Sequence, residues 1–130
     1  MGIEKNFENR IKKWLEMQGV YALGTPVQNM NVEPIGYYEK RWGSRMTPSG
    51  LPDLHVVVKG QSLEFELKGP RGKASELQKH MMEQIIKSGC QGAVLYEYQE
   101  DIPDDGFQYY INYEQFKNTV SYYANKSFKN

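Results

Sequence analysis

The spacing of apolar residues predicts a helix at the start of the chain. Over residues 3–18, Ile3, Phe7, Ile11 and Leu15 recur every three to four positions, and Gly19 is a typical helix stop. Glu4 and Glu8 share a face beside this apolar stripe. They are interpreted first as solvated carboxylates, with Glu8 and Lys12 forming an ordinary pair four residues apart.

Two strands joined by a tight turn are predicted in the middle of the chain. Residues 54–58 are mostly apolar and rich in valine, as in a central strand. Residues 63–68 alternate, so that Glu64, Glu66 and Lys68 point to one face. Three charges on one face of a central strand are costly unless they bind something.

The remaining elements follow from turn residues and periodicity. Ser75 and Gln78 have the form of a capping box, which predicts that a helix begins there and runs to Lys87. The other elements expected are strands at 20–25, 92–98 and 107–111 and a closing helix at 113–123. This order predicts a single α/β domain over 1–130, with a mixed central sheet flanked by helices.

Residues 26–50 are predicted to form a long irregular segment rich in glycine, proline and aromatic residues. Long segments of this kind in compact domains are often functional. Lys40, Arg41 and Arg45 lie beside tyrosines and Trp42, a combination suited to phosphate contacts and base stacking. The alternative is a surface loop whose aromatic residues cover the edge of the core.

Composition narrows the class of protein only modestly. Of the residues, 39% are hydrophobic and 25% charged, as in globular proteins, and the lone Cys90 excludes an internal disulfide. No stretch approaches the about 20 apolar residues of a membrane span, so a cytoplasmic location is expected. The net charge is zero, but basic residues exceed acidic ones in 1–90 and the reverse holds in 91–130. That asymmetry favours a functional surface that is basic and an opposite side that is acidic.

The two predicted strands bring together groups that suit a divalent metal. Asp53 opens the first strand, and Glu66 lies on its hairpin partner with Lys68 two residues on. Magnesium takes oxygen ligands and keeps several waters, so the two carboxylates and the carbonyl of Leu67 suffice to hold it. A metal held in this way generates a nucleophilic water near neutral pH.

These residues resemble the motif of the PD-(D/E)xK nuclease superfamily, and most closely its VRR-Nuc branch, the small stand-alone phage and bacterial type. The resemblance is carried by GLPDL at 50–54, FELKG at 65–69 and SELQ at 75–78. The upstream helix and the strand GAVLYE also fit, so that the matching core covers about 4–98 and residues 107–124 form an extension. The resemblance implies a restriction-endonuclease-like fold.

The resemblance also implies roles for individual residues. Asp53 and Glu66 would bind Mg²⁺ or Mn²⁺, Lys68 would be catalytic, and Gln78 would be an active-site residue on the second helix. Glu8 would complete the metal site, with Glu4 as the alternative. The phosphates of DNA would be held by basic residues of two loops, namely Lys40, Arg41, Arg45, Arg71 and Lys73.

The expected function is therefore that of a metal-dependent DNA endonuclease. By analogy with the family, it would be a homodimer that selects branched DNA such as four-way junctions, in the cytoplasm of a bacterial cell or a phage-infected host. The alternative is a nuclease fold without catalysis that serves as a binding module for DNA or a protein partner.

Overall fold

A six-stranded mixed sheet with helices on both faces forms the framework of the protein. The computed structural model describes the backbone of residues 3–41 and 50–126, and the side chains from Lys5 onward within these ranges. The helices are α1 (Ile3–Met17), α2 (Glu76–Lys87) and α3 (Tyr113–Ala124). The strands are β1 (Val20–Ala22), β2 (Gly36–Lys40), β3 (Leu54–Val58), β4 (Gln61–Leu67), β5 (Gln91–Tyr96) and β6 (Tyr110–Asn112).

The strands lie in the sheet in the same order as in the chain. Strands β2, β3 and β4 form an antiparallel meander, whereas β1 is parallel to β2, and β5 and β6 continue the sheet in parallel from β4. Helix α2 is the crossover between β4 and β5 that a parallel pair requires. The predicted mixed sheet flanked by helices is confirmed.

The main core lies between one face of the sheet and the helices α1 and α3. Phe7 and Ile11 of α1 and Phe116 of α3 belong to one buried cluster with Phe65 of β4, and the ring centroids of Phe65 and Phe116 lie 4.8 Å apart. The C-terminal strand and helix therefore contribute to the same sheet and core as the motif-bearing region. Among the described helices, none is both long and apolar enough to cross a membrane.

The prediction that residues 26–50 are irregular is wrong over Gly36–Lys40, which form strand β2. Gly36–Lys40 pairs with β1 on one side and with β3 on the other. A Cβ at Gly36 would overlap the carbonyl oxygen of Val57, so the close approach of the two strands requires glycine. Trp42 and Arg45, which belong to the rest of that segment, lie outside the described residues.

Candidate active site

Asp53 and Glu66 come together where β3 begins and β4 ends. Leu54 pairs with Phe65, so Asp53 and Glu66 are opposite each other one residue further along the same register. Oδ1 of Asp53 accepts the backbone N–H of Leu67 at 3.1 Å. This hydrogen bond fixes one oxygen of Asp53 beside the strand that carries Glu66.

Glu66 is a buried carboxylate in a cationic and hydrogen-bonding environment. It is 8% exposed. Its Oε2 lies 3.8 Å from Nζ of Lys68 and accepts a hydrogen bond of 3.2 Å from Nε2 of Gln78. A carboxylate that is both buried and charged needs such partners.

Gln78 connects the start of α2 with the candidate site. Its Oε1 accepts the backbone N–H of Ser75, and its own backbone N–H is donated to the Ser75 hydroxyl, which completes a capping box. The Nε2 amide nitrogen of the same side chain donates a hydrogen bond to Oε2 of Glu66. The two interpretations of Gln78, capping partner and site residue, are therefore compatible in one conformation.

The loop between β4 and α2 packs on Lys68. A Cβ at Gly72 would lie 3.2 Å from Cδ of Lys68, so the loop backbone contacts the lysine stem. The buried Tyr96 of β5 donates its hydroxyl to the carbonyl oxygen of Gly72 at 2.6 Å. Tyr96 thus holds in place the loop that limits where Lys68 can lie, a role that its position in an apolar strand does not signal.

Arg41 is engaged within the protein. Its guanidinium donates to both carboxylate oxygens of Glu64 at 2.7 and 3.1 Å and to the carbonyl oxygen of Pro52. The hydrogen bond to Glu64 raises the pKa of Arg41 above its ordinary value. Its backbone N–H is donated to the carbonyl oxygen of Asp53, so Arg41 supports the start of β3 directly.

Three lysines surround Glu8 on α1. Its Oε2 lies 2.8 Å from Nζ of Lys12 and 2.9 Å from Nζ of Lys5, and its Oε1 lies 3.1 Å from Nζ of Lys40. Burial raises the pKa of Glu8, but the hydrogen bonds from these lysines outweigh it and lower the pKa from 4.5 to about 2. The simple pair of Glu8 and Lys12 predicted from the sequence exists, as part of a larger cluster. The side chain of Glu4 lies outside the described part of the chain.

The predicted DNA-binding residues lie in different settings. Lys40 bridges Glu8 and Asp53, with its Nζ 3.9 Å from Oδ2 of Asp53. Arg71 and Lys73 are exposed on the loop between β4 and α2, next to Lys68 in the fold. The loop is therefore an open basic surface beside the carboxylates.

The donor set suits a hard divalent cation. The pair of carboxylates on adjacent strand ends, with the nearby carbonyl of Leu67, is of the oxygen type that Mg²⁺ and Mn²⁺ prefer. Over residues 3–41 and 50–126, no group of three or more His, Cys, Asp or Glu side chains is positioned to hold a metal ion. The residues present therefore fit a magnesium site in which two carboxylates bind the ion and water supplies most of the remaining ligands, as is usual for this metal.

Comparisons with protein-family models, with curated proteins and with solved structures find no match for this chain.

Proposed function

We propose that this protein is a Mg²⁺- or Mn²⁺-dependent DNA endonuclease of the VRR-Nuc type that hydrolyses phosphodiester bonds. The observation that carries the proposal is the environment of Glu66. This buried carboxylate faces Asp53 across a strand pair and contacts both Lys68 and Gln78. A structural domain has little reason to bury a charged group at this point, whereas a phosphodiesterase needs it to bind a cation.

Each residue has a role that its contacts support. Asp53, Glu66 and the carbonyl of Leu67 would hold the metal, which supplies an activated water and neutralises charge on the phosphate when bound. The ammonium of Lys68 stabilises the negative charge that develops on the phosphate, or orients the attacking water. Gln78 sets the orientation of the Glu66 carboxylate through its hydrogen bond.

The order of the elements also supports the proposal. Helix α1 with Glu8, the β3–β4 hairpin, α2 with Gln78 and strand β5 follow one another as the resemblance requires. The hairpin and α2 are adjacent, because Gln78 and Glu66 are in hydrogen-bond contact. Selectivity for branched DNA and assembly into a homodimer come with the resemblance alone and form part of the proposal.

The test is cleavage of a labelled substrate panel with and without Mg²⁺ or Mn²⁺. The panel contains a four-way junction, a flap, a nicked duplex and a single strand. Asp53→Ala and Lys68→Ala are expected to abolish cleavage while leaving the circular dichroism spectrum unchanged. The matched controls Asp104→Ala and Lys87→Ala remove the same charges at exposed positions outside the site and are expected to cleave normally. Continued cleavage by both site variants would overturn the proposal.

A second candidate is a nuclease fold that binds DNA or a protein partner without catalysis. It is favoured by two observations: the described residues contain no group of three metal-binding side chains, and the net charge is zero. Calorimetric titration with Mn²⁺ discriminates between the two candidates. The enzyme is expected to bind Mn²⁺ and to lose it on Glu66→Gln, whereas a silent module would bind none.

A further inference from the structure

Arg41 fixes the backbone on both sides of Asp53. Its own backbone N–H is donated to the carbonyl oxygen of Asp53 at 2.7 Å, and its guanidinium is donated to the carbonyl oxygen of Pro52 at 2.9 Å. These two carbonyl groups belong to the peptide units before and after the Cα atom of Asp53. One residue at the end of β2 therefore holds both peptide units from which the Asp53 side chain projects.

The same guanidinium ties this backbone to the strand that carries Glu66. It donates to both carboxylate oxygens of Glu64 at 2.7 and 3.1 Å. Glu64 lies on β4 two residues before Glu66, so the two side chains point to the same face of the sheet. Arg41 thus joins the start of β3 to β4 by a bidentate ion pair, close to the point where Asp53 and Glu66 face each other.

The position of the Asp53 carboxylate depends on this backbone. Its Oδ1 accepts the backbone N–H of Leu67 at 3.1 Å, so a shift of the peptide units on either side of Asp53 would lengthen or break this hydrogen bond. Carboxylates that bind a metal have to be held within about 0.5 Å of the productive geometry, and the groups that hold them affect metal affinity.

The ion pair of Arg41 and Glu64 is better suited to hold the site than to bind a phosphate of DNA. The two side chains are 24% and 13% exposed, and the guanidinium already donates three hydrogen bonds within the protein. A phosphate bound to both arms of the guanidinium would have to displace Glu64. The carboxylate of Glu64 would then remain mostly buried without this cation, which is costly.

We propose that Arg41 and Glu64 are positioning residues of the candidate active site, which hold Asp53 against Glu66 so that both carboxylates reach one metal ion. In this proposal, Arg41 acts through Asp53 and does not contact the DNA phosphate that the sequence analysis expected. The inference rests on the proposed function for the metal, but the placement of Asp53 can be measured without metal or DNA.

The first test is hydrogen exchange of the Leu67 amide, followed by NMR in the metal-free protein. For Arg41→Gln, we expect the protection of this amide to fall about tenfold, because its hydrogen bond to Asp53 opens locally. The amide of Val94, which is donated to the carbonyl oxygen of Tyr109, should change only as far as global stability changes. An equal fall at both amides, or no fall at Leu67, would overturn the proposal.

Three further variants separate the geometry of the pair from its charge. Arg41→Lys keeps the charge but not the bidentate contact, so it should lose protection at Leu67 as Arg41→Gln does. Glu64→Gln should give the same loss and keeps the test valid if Arg41→Gln does not fold. The double variant should be no worse than either single one, and additive losses would overturn the pairing. Arg10→Gln is the matched control, because it breaks an ion pair with Glu97 instead and should leave Leu67 protected.

The second test separates positioning from phosphate binding. Calorimetric titration is expected to show an affinity for Mn²⁺ about tenfold lower in Arg41→Gln than in the wild type. Charge alone would act in the opposite direction, because removing a cation beside two carboxylates favours Mn²⁺. For a labelled duplex in EDTA, the slope of log K against log salt should equal that of the wild type, whereas a lost phosphate contact would lower it by about 1.

Two results of the second test would overturn the proposal: a lower salt slope in Arg41→Gln, or an affinity for Mn²⁺ that is unchanged or higher. A wild-type chain that binds no Mn²⁺ would overturn the proposed function instead. The exchange of the Leu67 amide would then still decide whether Arg41 holds Asp53 in place.

Discussion

Gln78 donates its side-chain amide to Oε2 of Glu66 at 3.2 Å while its Oε1 caps the start of α2. The helix start and the carboxylate are therefore linked by one side chain. Because both hydrogen bonds fix the same amide, the orientation of Glu66 depends on the local structure at Ser75. A change at Gln78 is expected to affect both folding and the candidate site.

Gln78→Ala is expected to lower the free energy of unfolding by about 1 kcal/mol, because the backbone N–H of Ser75 loses its acceptor in the capping box. If Glu66 binds the metal as proposed, Gln78→Ala should also reduce cleavage roughly 10- to 100-fold, because the partner that orients this carboxylate is lost. Urea unfolding and single-turnover cleavage measure the two effects.

The chain supplies a matched control for this variant. Gln115 occupies the same position of a capping box at the start of α3, with Asn112 as its partner. Gln115→Ala should lose the same stability and cleave like the wild type. Equal cleavage by Gln78→Ala and Gln115→Ala would contradict a role for Gln78 in the site.

Tyr96 is expected to act on the site through the loop at Gly72. Tyr96→Phe removes the hydroxyl that holds the Gly72 carbonyl, at a cost of about 1 kcal/mol in unfolding free energy. The loop is then expected to move from the stem of Lys68, so that the transition state loses a similar amount of stabilisation and kcat falls about fivefold. KM should change little, because the exposed Arg71 and Lys73 keep their charges.

Tyr110→Phe is the control for that experiment. The Tyr110 hydroxyl is donated to Asp105, its ring contacts that of Tyr96, and it is hydrogen-bonded to the backbone of Ala74 in the same loop, whereas the hydroxyl of Tyr96 binds the carbonyl oxygen of Gly72. A fall in stability without a fall in kcat for Tyr96→Phe, matching Tyr110→Phe, would assign Tyr96 a purely structural role.

The sequence predicted the elements whose periodicity is strong. Alternation in β4 and the capping box at Ser75 located the strand and helix that carry Glu66 and Gln78, and their contact follows from the fold. The contacts of Tyr96 and Arg41 could not be predicted, because they depend on tertiary placement of the loop at Gly72 and of Glu64. Local patterns specify elements, whereas side-chain partners far apart in sequence require the packed structure.

Strand β2 was missed for a related reason. Glycine is unfavourable in strands on propensity, but at Gly36 the neighbouring backbone of Val57 leaves no room for a side chain. Only the paired structure reveals this requirement.

Gly36→Ala is therefore expected to destabilise the protein strongly, by on the order of 3 kcal/mol, because β2 cannot move away from β3 without losing pairing. Gly60→Ala is the comparison, since a Cβ there meets nothing within 4 Å and only the cost of its positive φ of 83°, about 1 kcal/mol, remains. Urea unfolding measures both. A smaller loss for Gly36→Ala than for Gly60→Ala would show that β2 is not held in this register.

The contacts of Glu8 with Lys5, Lys12 and Lys40 predict that the stability of the protein depends on pH in the acid range. The pKa of Glu8 is about 2 in the folded protein, below the ordinary value of 4.5. Folding therefore favours the charged form, so this contribution is fully present above pH 4.5 and is lost as the pH falls toward about 2. We expect Glu8→Gln to be less stable than the wild type at neutral pH, with the difference in unfolding free energy narrowing across this window.

Urea unfolding as a function of pH measures this difference. Glu33→Gln is the control, because Glu33 is exposed in a loop. A difference between wild type and Glu8→Gln that stays constant down to pH 2 would mean that the lysines do not stabilise the Glu8 carboxylate.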